Sequence, residues 1–295
     1  MDKKFITDHF KGGHIYSFVG AGGKTSSIKR IGAVLKECGY RVLITTTTKF
    51  GKNEFPDEIV KICSSIDLDL SFNTLNVQVS GIKGEKYLGF DKEILERADR
   101  IPIDTVILVE ADGTRRCEFK VPYEHEPVIP SNSAAAFLMI SSGIIGKGVT
   151  SENTYNLDGV RMILGDDNLL YTNENIVKLI SLGWLSDGDF KNLKVVFNQG
   201  DRLDNHYSAN ELLLDIKLKL GVDCYLVSLK EEMTYLSHDD RVGALILAAG
   251  QGSRMKGIKQ LLEIKGSTFL EETIKKYIRN QEEHDKMNDN IKRPD

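Results

Sequence analysis

The segment Gly20-Ala21-Gly22-Gly23-Lys24-Thr25 sets three glycines, an ammonium and a hydroxyl within six positions, a combination suited to holding a phosphate and its metal ion. Unpaired amides at a helix N-terminus favour an anion, and glycines let the backbone approach it closely. In that arrangement Lys24 reaches the terminal phosphates and Thr25 ligates Mg2+. The strict spacing G-x-x-x-x-G-K-[ST] asks for a glycine where this chain has Phe18, so the strict pattern fails at that one position. A glycine turn capping a buried helix is the plain alternative.

Three more groups follow apolar runs. Glu110-Ala111-Asp112-Gly113 closes the run Val106-Ile107-Leu108-Val109, and period-two alternation puts Glu110 and Asp112 on one face, where an acid would hold Mg2+ through water. A surface Ala-Asp-Gly turn would also explain it. Thr45-Thr46-Thr47-Thr48-Lys49 ends another run, with Thr48 and Lys49 the members expected to face a ligand and the rest serving as strand material. Asn198-Gln199-Gly200-Asp201 has the N-x-x-D form of the N-K-x-D element of GTPases without its lysine. Asn198 and Asp201 are therefore candidates to read the base, a carboxylate accepting from guanine and so separating it from adenine. Between these groups, Arg115, Arg116 and Lys120 could take the anionic part of a second substrate, while His125 and Glu126 could move protons. A solvated charged loop is the competing account of that stretch.

Such residues need a scaffold that gathers strand ends. Alternation and β-rich runs predict strands at 14–19, 41–46, 75–81, 105–110, 136–141, 193–198 and 224–228; apolar spacing predicts helices near 24–38, 91–99, 173–182 and 208–220. Val, Ile and Leu-rich strands alternating with helices predict an α/β fold, a P-loop NTPase-like, mainly parallel sheet with helices on both faces. Segment 71–90 reads as an inserted hairpin. Ligands of such sheets sit at the carboxyl ends of the strands, where all four groups fall.

Composition narrows the class. With 295 residues, 41% hydrophobic and 28% charged, the chain suits one large or two ordinary globular domains, and a net charge of −4 offers no nucleic-acid or membrane surface. The longest apolar run, 134–140, is well short of the roughly 18 residues of a membrane span, and the N-terminus leads into no signal core, so a cytoplasmic location is expected. Cys38, Cys63, Cys117 and Cys224 form no C-x-x-C pair and read as reduced thiols.

Taken together, VGAGGKTSSI, TTTTKF, VEADGTRRCEFKVPYEHEPVIP, the Gly146-Lys147 turn before SENTYN, and NQGD make residues 1–235 resemble the YqeC family, described as accessory factors for selenium-dependent molybdenum hydroxylases. The shortened glycine loop is also similar to the G-x-x-G-K-T loops of Mur ligases. Where the YqeC pattern has a His-Arg pair, this chain has Tyr155-Asn156. The resemblance implies residues 1–240 as a P-loop nucleotide-binding domain using Mg2+ and ATP or GTP. It would be a slow NTPase whose partner is a molybdenum hydroxylase apo-enzyme or a molybdenum cofactor intermediate. Lys24, Glu110 and Asp112 would be catalytic, with Thr25, Glu110 and Asp112 at the metal. The alternative is a non-catalytic scaffold or cofactor carrier.

A second glycine loop, LAAGQGSRM followed by KQLL, resembles molybdenum cofactor cytidylyltransferases, in which Gly250 and Gly252 would bind nucleotide, Arg254 its phosphates and Lys259 would assist transfer. About 55 residues follow the boundary near 240, fewer than a complete doubly wound sheet requires. Residues 241–280 are thus expected to be a truncated strand-loop-helix, a remnant of a bifunctional transferase, and 281–295 a disordered tail.

Overall fold

The computed structural model describes residues 1–98, 100–165, 169–185, 192–204 and 206–238, with the short segments 263–264 and 267–268. The chain divides into two compact units, Met1–Asp240 and Arg241–Asp295. In the second, Glu263–Ile264 pairs antiparallel with Ser267–Thr268. Gly250, Gly252, Arg254, Lys259 and the tail 281–295 lie outside the described residues.

The first unit runs α1 (Lys3–His9), β1 (His14–Gly20), α2 (Lys24–Glu37), β2 (Arg41–Thr46), β3 (Lys49–Gly51), β4 (Val60–Ile62) and β5 (Asn76–Val79). It continues through β6 (Gly81–Lys83), β7 (Lys86–Leu88), α3 (Lys92–Glu96), β8 (Thr105–Glu110), β9 (Phe119–Lys120) and β10 (Ser133–Ser141). The remaining elements are β11 (Thr154–Tyr155), α4 (Leu157–Leu164), α5 (Asn173–Trp184), β12 (Leu193–Asn198), α6 (Tyr207–Leu220), β13 (Asp223–Ser228) and β14 (Met233–His238).

Nine strands make one sheet in the order β14-β13-β12-β10-β1-β8-β2-β5-β4. Every neighbouring pair is parallel except β13 with β14. Helices cover both faces, which is why β8 is buried along its whole length and reads as an unbroken apolar run ending in an acid. Side-chain alternation sends Tyr16 and Phe18 to the layer of α1 and α2, and Val19 to the layer of α4, α5 and α6. Phe18, which stands where the strict phosphate-loop pattern has glycine, is an interior strand residue. It pairs with Glu110 and Phe137 in the sheet, and its ring stacks on Phe137 with centroids 5.4 Å apart. Losing such a buried ring costs about 3–5 kcal/mol, so position 18 belongs to the core and the loop begins at Gly20.

Several elements differ from expectation, among them the short helix α1 and the short strands β3, β4, β9 and β11, for which the sequence pattern predicts no element. Of segment 71–90, Asn76–Val79 joins the main sheet beside β2, while the hairpin is β6 with β7, extended by β3. The half-exposed edge strand β14 pairs antiparallel and closes one side of the sheet, in a stretch where no strand was expected. Helix α4 starts from Asn156, a left-handed residue whose side chain accepts the Gly159 amide and so caps it.

Candidate functional site

Strand β1 lies between β8 and β10, so the loop after it opens where the strand order reverses, the place at which open α/β sheets leave a crevice. Gly22 takes φ 111°, and a Cβ there would stand 2.3 Å from the Ser141 amide nitrogen at the end of β10. Only glycine permits that approach. Gly23 then starts α2 in the left-handed region without a side-chain cap, so the positive helix end faces the loop unneutralised by a capping oxygen.

The two acids at the end of β8 have different surroundings. Glu110 Oε2 accepts from Thr25 Oγ1 at 2.6 Å, across 85 residues of sequence. Burial pushes the Glu110 carboxyl above its ordinary value, an effect that nearby Lys24 and the Thr25 bond oppose. Asp112 is fully buried in a cationic cage: its Oδ1 lies 2.9 Å from Lys24 Nζ, and its Oδ2 lies 3.2 Å from Lys120 Nζ while accepting the Gly20 amide at 2.9 Å. Lys24 Nζ also donates to the Gly20 carbonyl, so its ammonium points back along the loop.

Lys120, expected from the sequence to take the anionic part of a second substrate, is instead almost wholly buried in β9. Its ammonium meets Glu126 at 2.7 Å, donates to the Gly113 carbonyl at 2.8 Å and sits 4.8 Å from the centre of the Tyr155 ring. A charge taken out of water needs such partners, and a carboxylate on each side supplies them. Trp184 at the end of α5 donates to the Lys120 carbonyl at 2.9 Å and fixes the strand from beneath. Lys24, Asp112, Lys120 and Glu126 therefore form one buried ionic chain joining the phosphate loop to the segment after β8.

Arg115 and Arg116 remain exposed on that segment, both with positive φ (46° and 67°), a conformation that β-carbon residues adopt at a cost of about 1–3 kcal/mol. The Arg115 guanidinium lies 5.9 Å from the Tyr155 ring centre, and His125 stacks on Tyr123 at 5.9 Å. The threonine run splits as its burial dictates. Thr45 and Thr46 are buried and bond to the Gln78 and Glu110 carbonyls, whereas Thr48 is half-buried and Lys49 exposed.

At the end of β12, Asn198 Nδ2 donates to the Gly22 carbonyl at 3.0 Å, so this residue touches the phosphate loop directly; its Oδ1 is buried and has no hydrogen-bond partner among the described residues. Asp201 Oδ1 accepts from Ser228 Oγ at 2.6 Å, which ties it to the end of β13. Ser228 and Ser141 belong to no motif, and Gln199 fills only a variable position of the N-x-x-D element, so none of the three is legible in the sequence as a site residue. Strand adjacency alone brings them in, with Ser141 Oγ donating to Gln199 Oε1 at 2.9 Å.

Among the described residues no group of three or more His, Cys, Asp or Glu could hold a metal ion. Thr25 and Glu110 offer two hard oxygens, a set that fits Mg2+ when phosphate and water complete the octahedron. Among the described residues no helix is long and apolar enough to cross a membrane.

The family described as YqeC protein matches residues 16–158, and the family described as MobA-like NTP transferase domain matches residues 244–282. A protein of Escherichia coli (strain K12), Uncharacterized protein YqeC, is 31% identical over 214 residues, 68% of this chain and 81% of that protein. No solved structure matches the chain.

Proposed function

The chain belongs to the YqeC family, and from that premise we propose that it is a Mg2+-dependent nucleotide-binding protein that hydrolyses ATP or GTP slowly while assisting the maturation of a selenium-dependent molybdenum hydroxylase. The observation that carries the nucleotide reading is the contact of Thr25 with a buried Glu110 beside an uncapped, glycine-started helix. Bound Mg2+ supplies positive charge against the phosphate oxygens. Thr25 and Glu110 would hold and orient it. Loop amides and the Lys24 ammonium would hold the phosphates, once Lys24 exchanges its bond to Asp112 for a phosphate oxygen. Asn198 and Asp201 would take the base, Asn198 Oδ1 being an acceptor in want of a donor. Arg115, Arg116 and His125 would meet the acceptor or client protein, because they are exposed on the segment that the ionic chain ties to Lys24.

A nucleotide panel on the full chain tests this. ATP or GTP with Mg2+ is expected to bind wild type at least about tenfold more tightly than Lys24→Ala. Equal binding of every nucleotide by the two proteins would refute the reading. Turnover separates an NTPase from a scaffold: hydrolysis should fall in Glu110→Gln while binding is still measurable.

A further inference from the structure

On the same edge of the first unit, an open cavity of about 630 Å³ lies beside the ends of β10 and β12, lined by Glu118, Gly143, Lys147, Arg202, Asp204 and Ser208 among others. Its volume falls in the range of small-molecule sites, but its lining is charged where such sites are mostly apolar. Arg202 Nη1 donates to Glu118 Oε1 at 3.0 Å and to Gln199 Oε1 at 2.7 Å, and Lys147 Nζ stands 3.8 Å from the other Glu118 oxygen. Two cations thus share one carboxylate. Both are more than half exposed (54% and 55%), so their pairing with Glu118 is weak and exchangeable. Ser208 lies in the first turn of α6, whose N-cap residue His206 makes no side-chain capping bond, which adds partial positive charge on the same wall.

We propose that this cavity is a second ligand site, for a small molecule that carries an oxyanion together with hydrogen-bond donors. The oxyanion takes the place of Glu118 opposite Arg202 and Lys147. The freed Glu118 and Asp204 then accept from hydroxyl or amino groups of the same ligand. A plain anion would leave those two carboxylates facing it, which is why the mixed lining calls for donors as well. The site borders the phosphate loop through Ser141, whose backbone packs on Gly22 and whose hydroxyl shares Gln199 Oε1 with Arg202. Its residues are separate from Lys24, Thr25 and Glu110, so it stands whether or not a nucleotide binds there.

Amide NMR titrations of the full chain with inorganic phosphate, glycerol 3-phosphate and serine test the site. Phosphate is expected to shift Gly143, Lys147 and Ser208, in wild type and in Lys24→Ala alike. One organic probe should bind about tenfold more tightly than phosphate, and which one it is tells whether the oxyanion is a phosphate or a carboxylate. The double variant Lys147→Gln/Arg202→Gln should weaken that binding about tenfold or more, and Ser208→Asp should block it. Loss of the shifts in Lys24→Ala, unchanged binding in the double variant, or no organic probe tighter than phosphate would overturn the proposal.

Discussion

Glu110 and Asp112 leave the same strand two residues apart and are both buried, yet one faces a hydroxyl while the other is enclosed by two ammonium groups and an amide. A carboxylate in the first setting lacks full charge compensation, and burial accordingly raises its pKa. In the second setting the charge is already matched. Sequence spacing makes the two acids look equivalent; under the proposed function Glu110 would take an incoming cation, while the contacts of Asp112 hold the loop in shape.

That contrast can be broken at either acid. Asp112→Ala should have the largest effect, because it strands Lys24 and Lys120 in the interior. Urea denaturation is expected to show a loss of about 3–5 kcal/mol, and a loss below about 1 kcal/mol would mean that the cage is not structural. Glu110→Gln should leave stability near neutral pH intact or improved while lowering the affinity for Mg2+-nucleotide about 10–100-fold, as read by calorimetry. Away from both acids, Asp201→Ala should shrink any preference for GTP over ATP about tenfold without touching phosphate affinity; an unchanged ratio would detach the β12 edge from base recognition.

The smallest effect is the pH dependence. Because the folded Glu110 holds its proton to higher pH than the unfolded chain does, its penalty is absent below the ordinary value of 4.5. It builds as pH rises from there through the raised folded value. Stability measured for wild type minus that for Glu110→Gln should therefore fall over this window and level off above it. A difference that rises with pH would reverse the assignment.

The parts of the site that depend on local backbone were legible in the sequence. Gly22 and Gly23 announce a loop that only glycine can form, and the apolar run of β8 announces both a buried strand and the acids at its end. What could not be read were pairings made through the fold. Lys120 looks like one more surface cation in a charged stretch, and only the packing of Trp184 and Tyr155 reveals it as buried. Phe18 looks like a defect in a motif until its stacking on Phe137 shows it to be core. Likewise Tyr155-Asn156, in place of a His-Arg pair, turns out to cover Lys120 and to cap α4. The strand β14 escaped notice because an edge strand that is half-exposed on both faces lacks a clean alternation.

In the proposed function, Thr25 and Glu110 hold a metal ion only together with a nucleotide's phosphates. Titrating Mn2+ as a paramagnetic stand-in for Mg2+, with and without ATP or GTP, reads this directly by electron paramagnetic resonance. Tight Mn2+ binding is expected in wild type only when nucleotide is present, and it should be lost in Glu110→Gln. Nucleotide-dependent Mn2+ binding that survives intact in Glu110→Gln, or a complete absence of such binding in wild type, would contradict the proposed function.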